Sequence, residues 1–185
     1  MEQDLQKAYA LYQIAADAGA LEAIRRCGDS CYDGRHQGVD YTKAYEYFSL
    51  GALLYDDAHC LCKLDDQYLK GHGVAPNACF AFRLYQQALR RSQEHDEDPV
   101  CTANAQLRVG TCFFYGIGTY TDVEKAHELL ALSLVNLYKR RKTDPCAIAS
   151  IPSTRELLVQ AQTALDQGAS HFHRQGAYDP DHLPF

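Results

Sequence analysis

No apolar run in the 185-residue sequence is long enough to span a bilayer, and Met1-Glu2-Gln3-Asp4 opens directly into an amphipathic pattern rather than a signal peptide. A soluble, cytoplasmic chain with no membrane partner is expected. The first segment reads as the second half of a repeat, so a missing first half or an export signal is part of the same expectation. An excess of positive charge is also lacking: 18 Lys and Arg face 24 Asp and Glu, for a net charge of −6. That sign disfavours phosphate backbones and sets nucleic acid aside. Enzyme signatures are absent as well, with no Gly-x-Ser-x-Gly elbow, phosphate loop, His-Glu-x-x-His or Cys-x-x-Cys. No enzyme, cofactor or resident metal is expected.

Cysteine, by contrast, is plentiful. Eight cysteines would suit a disulfide scaffold in a small secreted protein, but most fall on apolar positions of expected helices, where thiols pack as small hydrophobes. They are expected to be reduced and buried. Cys60-Leu61-Cys62 has the wrong geometry for zinc, because helix neighbours two apart point to different sides. Cys27, Cys31 and Cys60 fall in core columns of adjacent helices and carry two readings, packing or a metal or thiol site. His171, His173, Asp179, Asp181 and His182 carry two as well, a solvated tail or a ligand set.

The organising stretch is 68–77, Tyr-Leu-Lys-Gly-His-Gly-Val-Ala-Pro-Asn. Gly71 and Gly73 suit the positive φ of a chain leaving one helix and reversing, and Asn77 suits the cap of the next. The same frame lies at Gly34 with Asp40, and at Gly116 and Gly118 with Asp122; each first Gly precedes its cap by six residues. Helix, turn and helix thus recur. Ala8, Ala44, Ala81 and Ala126 mark the repeat and are expected in one apolar seam, with the first helix burying Leu5, Ala8, Leu11, Tyr12, Ala15 and Ala16. Gly28 is expected where two helices approach closely. The acidic run 92–99 reads as an inserted loop. The run Lys139-Arg140-Arg141-Lys142 reads as a helix end complementing the dipole rather than a nucleic-acid patch. Ser153 and Glu156 suggest a capping box for a last helix from Thr154 to about Gln167.

The expected organisation is a half repeat at 4–19, repeats at 20–56, 57–92 and 101–141, a capping helix within 143–175 and an extended tail at 176–185.

These motifs resemble the Sel1-like repeat, a relative of the tetratricopeptide repeat. The resemblance rests on Ala23, Gly28, Gly34, Val39, Asp40, Lys43 and Ala44; on Tyr68, Gly71, Gly73, Val74, Asn77 and Ala81; and on Ala105, Gly110, Phe113, Gly116, Gly118, Asp122, Lys125 and Ala126. The sequence departs from the pattern at Cys31, Asp65 and Phe80. The resemblance implies an all-α, right-handed superhelix of antiparallel helix pairs with a capping helix at its C-terminal end, acting as a protein-interaction scaffold. Bacterial immunity or regulatory partners form one subtype, and the alternative is a β-lactamase-like hydrolase using Cys and His clusters.

Aligning the first helices of the three pairs places Arg26, Lys63 and Arg108 at one position, with Glu22, His59 and Asn104 one turn earlier. Arg26 with Asp29, and Lys63 with Asp66, form possible i, i+3 pairs. Two readings follow: a row of surface salt bridges, or a concave face that binds an acidic segment of a protein or peptide partner, flanked by Tyr32 and Tyr115.

Overall fold

The computed structural model describes residues 2–35, 38–94 and 99–168. These residues form eight α-helices and no strand: α1 (Glu2–Asp17), α2 (Leu21–Asp33), α3 (Tyr41–Tyr55), α4 (Ala58–Lys70), α5 (Ala78–Glu94), α6 (Pro99–Tyr115), α7 (Val123–Arg140) and α8 (Pro145–Asp166). The chain divides into two compact units, 1–77 with α1–α4 and 78–185 with α5–α8. Within each unit helices pack mainly on their sequence neighbours, as expected for helix pairs of the solenoid class. None of the described helices is long and apolar enough to cross a membrane.

The recurring turn explains the six-residue frame. Gly34, Gly71 and Gly116 adopt φ of +70°, +74° and +72°, reversing the chain at the end of a helix. Each following residue sends its N–H back five positions: Arg35 to Ser30, His72 to Gln67 and Ile117 to Cys112. The cap residue then closes the turn: the N–H groups of Asp40, Asn77 and Asp122 donate to the carbonyls of Cys31, Tyr68 and Phe113 at 2.9, 2.7 and 2.9 Å. Asp40 and Asp122 also accept the N–H groups of Lys43 and Lys125, each at 3.0 Å.

Ala44 in the first unit, and Ala81 and Ala126 in the second, are fully buried, as expected of seam residues. Ala8 departs from this and is exposed. Helix α1 is turned so that Tyr9 and Ala16, seven residues apart and therefore on one face, enter the core instead, leaving Leu11 and Tyr12 outside. The side chain of Leu5 lies outside the described residues. Gly28 is a close approach as expected: a Cβ there would sit 2.5 Å from the Phe48 ring.

The supposed insert is shorter than the acidic run. Helix α5 continues through Ser92 to Glu94, and α6 starts at Pro99, which lacks only an N–H that a first turn leaves unpaired anyway. Residues 95–98 are outside the described residues.

The last helix begins at Pro145, well before Thr154. Pro152 inside it removes one backbone donor, but the buried face of Ala147, Thr154, Leu157, Ala161 and Ala164 holds the helix through that position. Ser153 lies inside the helix rather than at its start; its hydroxyl and that of Thr154 both donate to the Ser150 carbonyl, at 3.1 and 2.7 Å.

Candidate binding surface

A polar and aromatic cluster lies in the first unit, where α2, α3 and α4 meet the 71–77 turn. His59 and Lys63 are one turn apart on α4, so both reach toward α2. His59 Nε2 lies 3.1 Å and Lys63 Nζ 3.6 Å from Asp29 Oδ1. Burial alone would raise the Asp29 pKa, but the His59 hydrogen bond and the positive charges of His59, Lys63 and Arg35 win and hold it below the usual carboxylate range.

Lys63 Nζ also stands 5.0 Å from the centroid of the Tyr32 ring, within cation–π range. Tyr32 meets Tyr41 edge-on at 5.2 Å, Tyr41 stacks on His72 at 4.0 Å, and the Tyr32 hydroxyl lies 3.4 Å from His72 Nδ1. The result is an ammonium fixed between a carboxylate and an aromatic wall, with a quarter of the lysine side chain still open to solvent.

The remaining charges on α2 are arranged differently from the expected i, i+3 pairs. Arg26 is exposed and bonds Glu22 at 2.8 Å, one turn back on its own helix, while Lys63 reaches across to Asp29. Arg25 makes the stronger link. Its Nε donates to Asp57 Oδ1 at 3.0 Å and its Nη2 to Oδ2, the parallel fork that a guanidinium forms with a carboxylate. Asp57 simultaneously caps α4 by accepting the Cys60 N–H at 2.9 Å. Burial pushes its pKa up, but hydrogen bonds from Arg25 and Cys60 outweigh that and bring it below normal.

Arg108, Asn104 and Tyr115 belong to the second unit. Arg108 lies 5.8 Å from the centroid of the buried Tyr85 ring, Tyr115 meets Phe114 edge-on at 5.0 Å, and Asn104 is half-buried on α6. The structure thus gathers Lys63, His59 and Tyr32, and keeps Arg26 with Glu22 in a surface pair. Sequence reasoning missed Tyr41, His72, Arg25 and Asp57. A signal existed for the first two: His72 lies between the glycines of one turn and Tyr41 directly follows the cap of the previous one, positions that stacked repeats bring together.

Cys27, Cys31 and Cys60 are not activated as nucleophiles. Burial pushes the Cys27 thiol up to about 11 and raises Cys31 and Cys60 as well, which keeps all three protonated at neutral pH. The Tyr9 hydroxyl and Cys31 Sγ are 3.2 Å apart, a packing contact with a weak hydrogen bond. No group of three or more His, Cys, Asp or Glu suited to a metal occurs among the described residues. His171, His173, Asp179, Asp181 and His182 lie outside them.

Comparison with known proteins matches the Sel1 repeat model to residues 1–19, 21–56, 68–92 and 103–133, more than half of the sequence. The chain belongs to the Sel1-repeat family. Members of the Sel1-repeat family commonly act as protein-interaction scaffolds and are typically not enzymes. A Sel1 repeat protein from Oxalobacter formigenes has a similar fold, with a TM-score of 0.59 at 20% identity over 68% of this chain and 88% of that one. A second similar structure is c5321, a protective antigen of uropathogenic Escherichia coli strains with the SLR fold. Its TM-score is 0.45 at 17% identity, over 91% of this Sel1-repeat chain and 46% of that one. Comparison with curated proteins gave no match.

Proposed function

We propose that this Sel1-repeat protein is an interaction scaffold that takes a carboxylate-bearing segment of a protein or peptide partner on the α2–α4 side of its first unit. The carrying observation is the Lys63 ammonium held between Asp29 and the Tyr32 ring, at the edge of the Tyr41–His72 stack. A cation positioned beforehand loses less side-chain freedom when an anion arrives, and the flanking rings supply contact area at low entropic cost. Arg26 and Glu22 form the exposed margin, and His59 adds a second imidazole beside Lys63. In the second unit Arg108 on Tyr85 repeats the cation-on-tyrosine arrangement, with Asn104 and Tyr115 on the same helix. A hydrolase built on Cys27, Cys31 or Cys60 needs an activated thiol, and their raised pKa values oppose that form of the alternative. Affinity capture with the whole chain as bait, followed by the double variant Arg26→Glu with Lys63→Gln, tests the proposal. Partner recovery should fall about tenfold and lose its salt dependence, while the melting temperature changes little. Unaltered capture by the variant would leave these residues as surface ion pairs.

A further inference from the structure

Helices α7 and α8 are joined by the short connection 141–144 and run antiparallel, with a clasp between them: the Arg155 Nη2 donates to the Tyr138 hydroxyl. The guanidinium carbons of Arg141 and Arg155 lie 5.4 and 5.9 Å from the centroid of the same Tyr138 ring, so two arginines from different helices gather on one aromatic. Arg140 is paired with Asp144, but Lys139, Arg141, Lys142 and Arg155 make no ion pair among the described residues. In a chain of net charge −6 this concentration of uncompensated positive charge is unusual. Attraction to the α7 dipole accounts for cations in the last turn of that helix. It does not account for Arg155, which comes from the middle of α8, nor for the clasp that fixes it.

The charges continue into apolar surface. Val135, one turn before Tyr138 on α7, is 52% exposed, and Val159, one turn after Arg155 on α8, is 60% exposed. Because the helices are antiparallel, the clasp sets both valines at the same level. Ile148, 56% exposed, lies on the other side of the clasp.

We propose that this face of α7 and α8 is a second docking surface, whose occupant is an acidic amphipathic segment of a protein, with carboxylates on Arg141, Lys142 and Arg155 and an apolar residue on Val135 and Val159. Guanidinium groups held on a ring present their N–H edges outward, ready for the two parallel bonds a carboxylate accepts. A single such patch on an acidic molecule suits a short acidic segment better than a nucleic-acid backbone, which engages many phosphates at once. The surface goes beyond the α2–α4 site and lies in the other unit.

The test uses the full chain and a fluorescein-labelled peptide of alternating Glu and Leu, with a Lys and Leu peptide as control, read by fluorescence anisotropy. Saturable binding of the Glu peptide is expected, weakening about tenfold in Arg141→Gln with Arg155→Gln. Among the described residues Lys142 makes no side-chain hydrogen bond or ion pair, so Lys142→Gln should leave the fold intact and still weaken binding a few-fold. The loss caused by Arg141→Gln with Arg155→Gln should be the same in a chain that already carries Arg26→Glu and Lys63→Gln, which separates this surface from the α2–α4 proposal. Absence of saturable binding, equal affinity in both α7–α8 variants, or preferential co-sedimentation with phosphatidylglycerol vesicles would overturn the proposal.

Discussion

Phe48 is fully buried, and its ring occupies the space a side chain at position 28 would need. Gly28→Ala must therefore push α2 and α3 apart or force Phe48 from its rotamer, and a loss of about 1–3 kcal/mol is expected in urea unfolding. Adding Phe48→Leu to Gly28→Ala should restore part of it, whereas a backbone-entropy effect alone would make Gly28→Ala stabilising. That close contact was legible in the sequence because a glycine inside a helical pattern has few other reasons to be there. Ala8 was not legible in the same way. Its chemistry suits the seam, but whether α1 presents Ala8 or Tyr9 depends on rotation about its axis, and residues as mild as alanine do not fix that angle.

At the scale of elements, the Arg25–Asp57 fork joins α2 to the first turn of α4. Both Asp57 and Asp29 have pKa values lowered by the fold, so the folded state binds fewer protons than the unfolded one in acid. Their stabilisation is complete above the ordinary carboxylate pKa of about 4 and is lost as pH falls from there through the lower folded-state values. Melting curves taken from pH 6 down to pH 3 should show this fall, and Asp57→Asn should lower stability at pH 6 while flattening the acid dependence. Identical slopes for the two proteins would contradict the assignment. Turns and caps were readable because positive φ and N-cap positions accept few residue types. The pairs Arg25–Asp57 and His59–Asp29 were not, since each joins residues 32 and 30 positions apart through helix packing that local patterns leave undetermined. The early start of α8 was hidden for a related reason: Pro152 reads locally as a breaker, and only burial along the rest of the helix overrides it.

For the whole molecule, the seven described cysteines contain no disulfide, and only Cys79 among them is exposed. A thiol reagent applied to native protein and mapped by mass spectrometry should modify Cys79 well before Cys27, Cys31, Cys60, Cys62, Cys101 or Cys112. Early modification of Cys27 or Cys60 would show that the core opens far more readily than its packing implies. The turn-closing hydrogen bonds have a dynamic counterpart. Residues 40, 77 and 122 lie outside every helix, where amide protons ordinarily exchange quickly with solvent, yet each of their N–H groups is committed to a carbonyl of the preceding helix. In hydrogen–deuterium exchange these three amides should be as slow as those of the flanking helices and should open together with them, three protected points at regular places in the connecting chain.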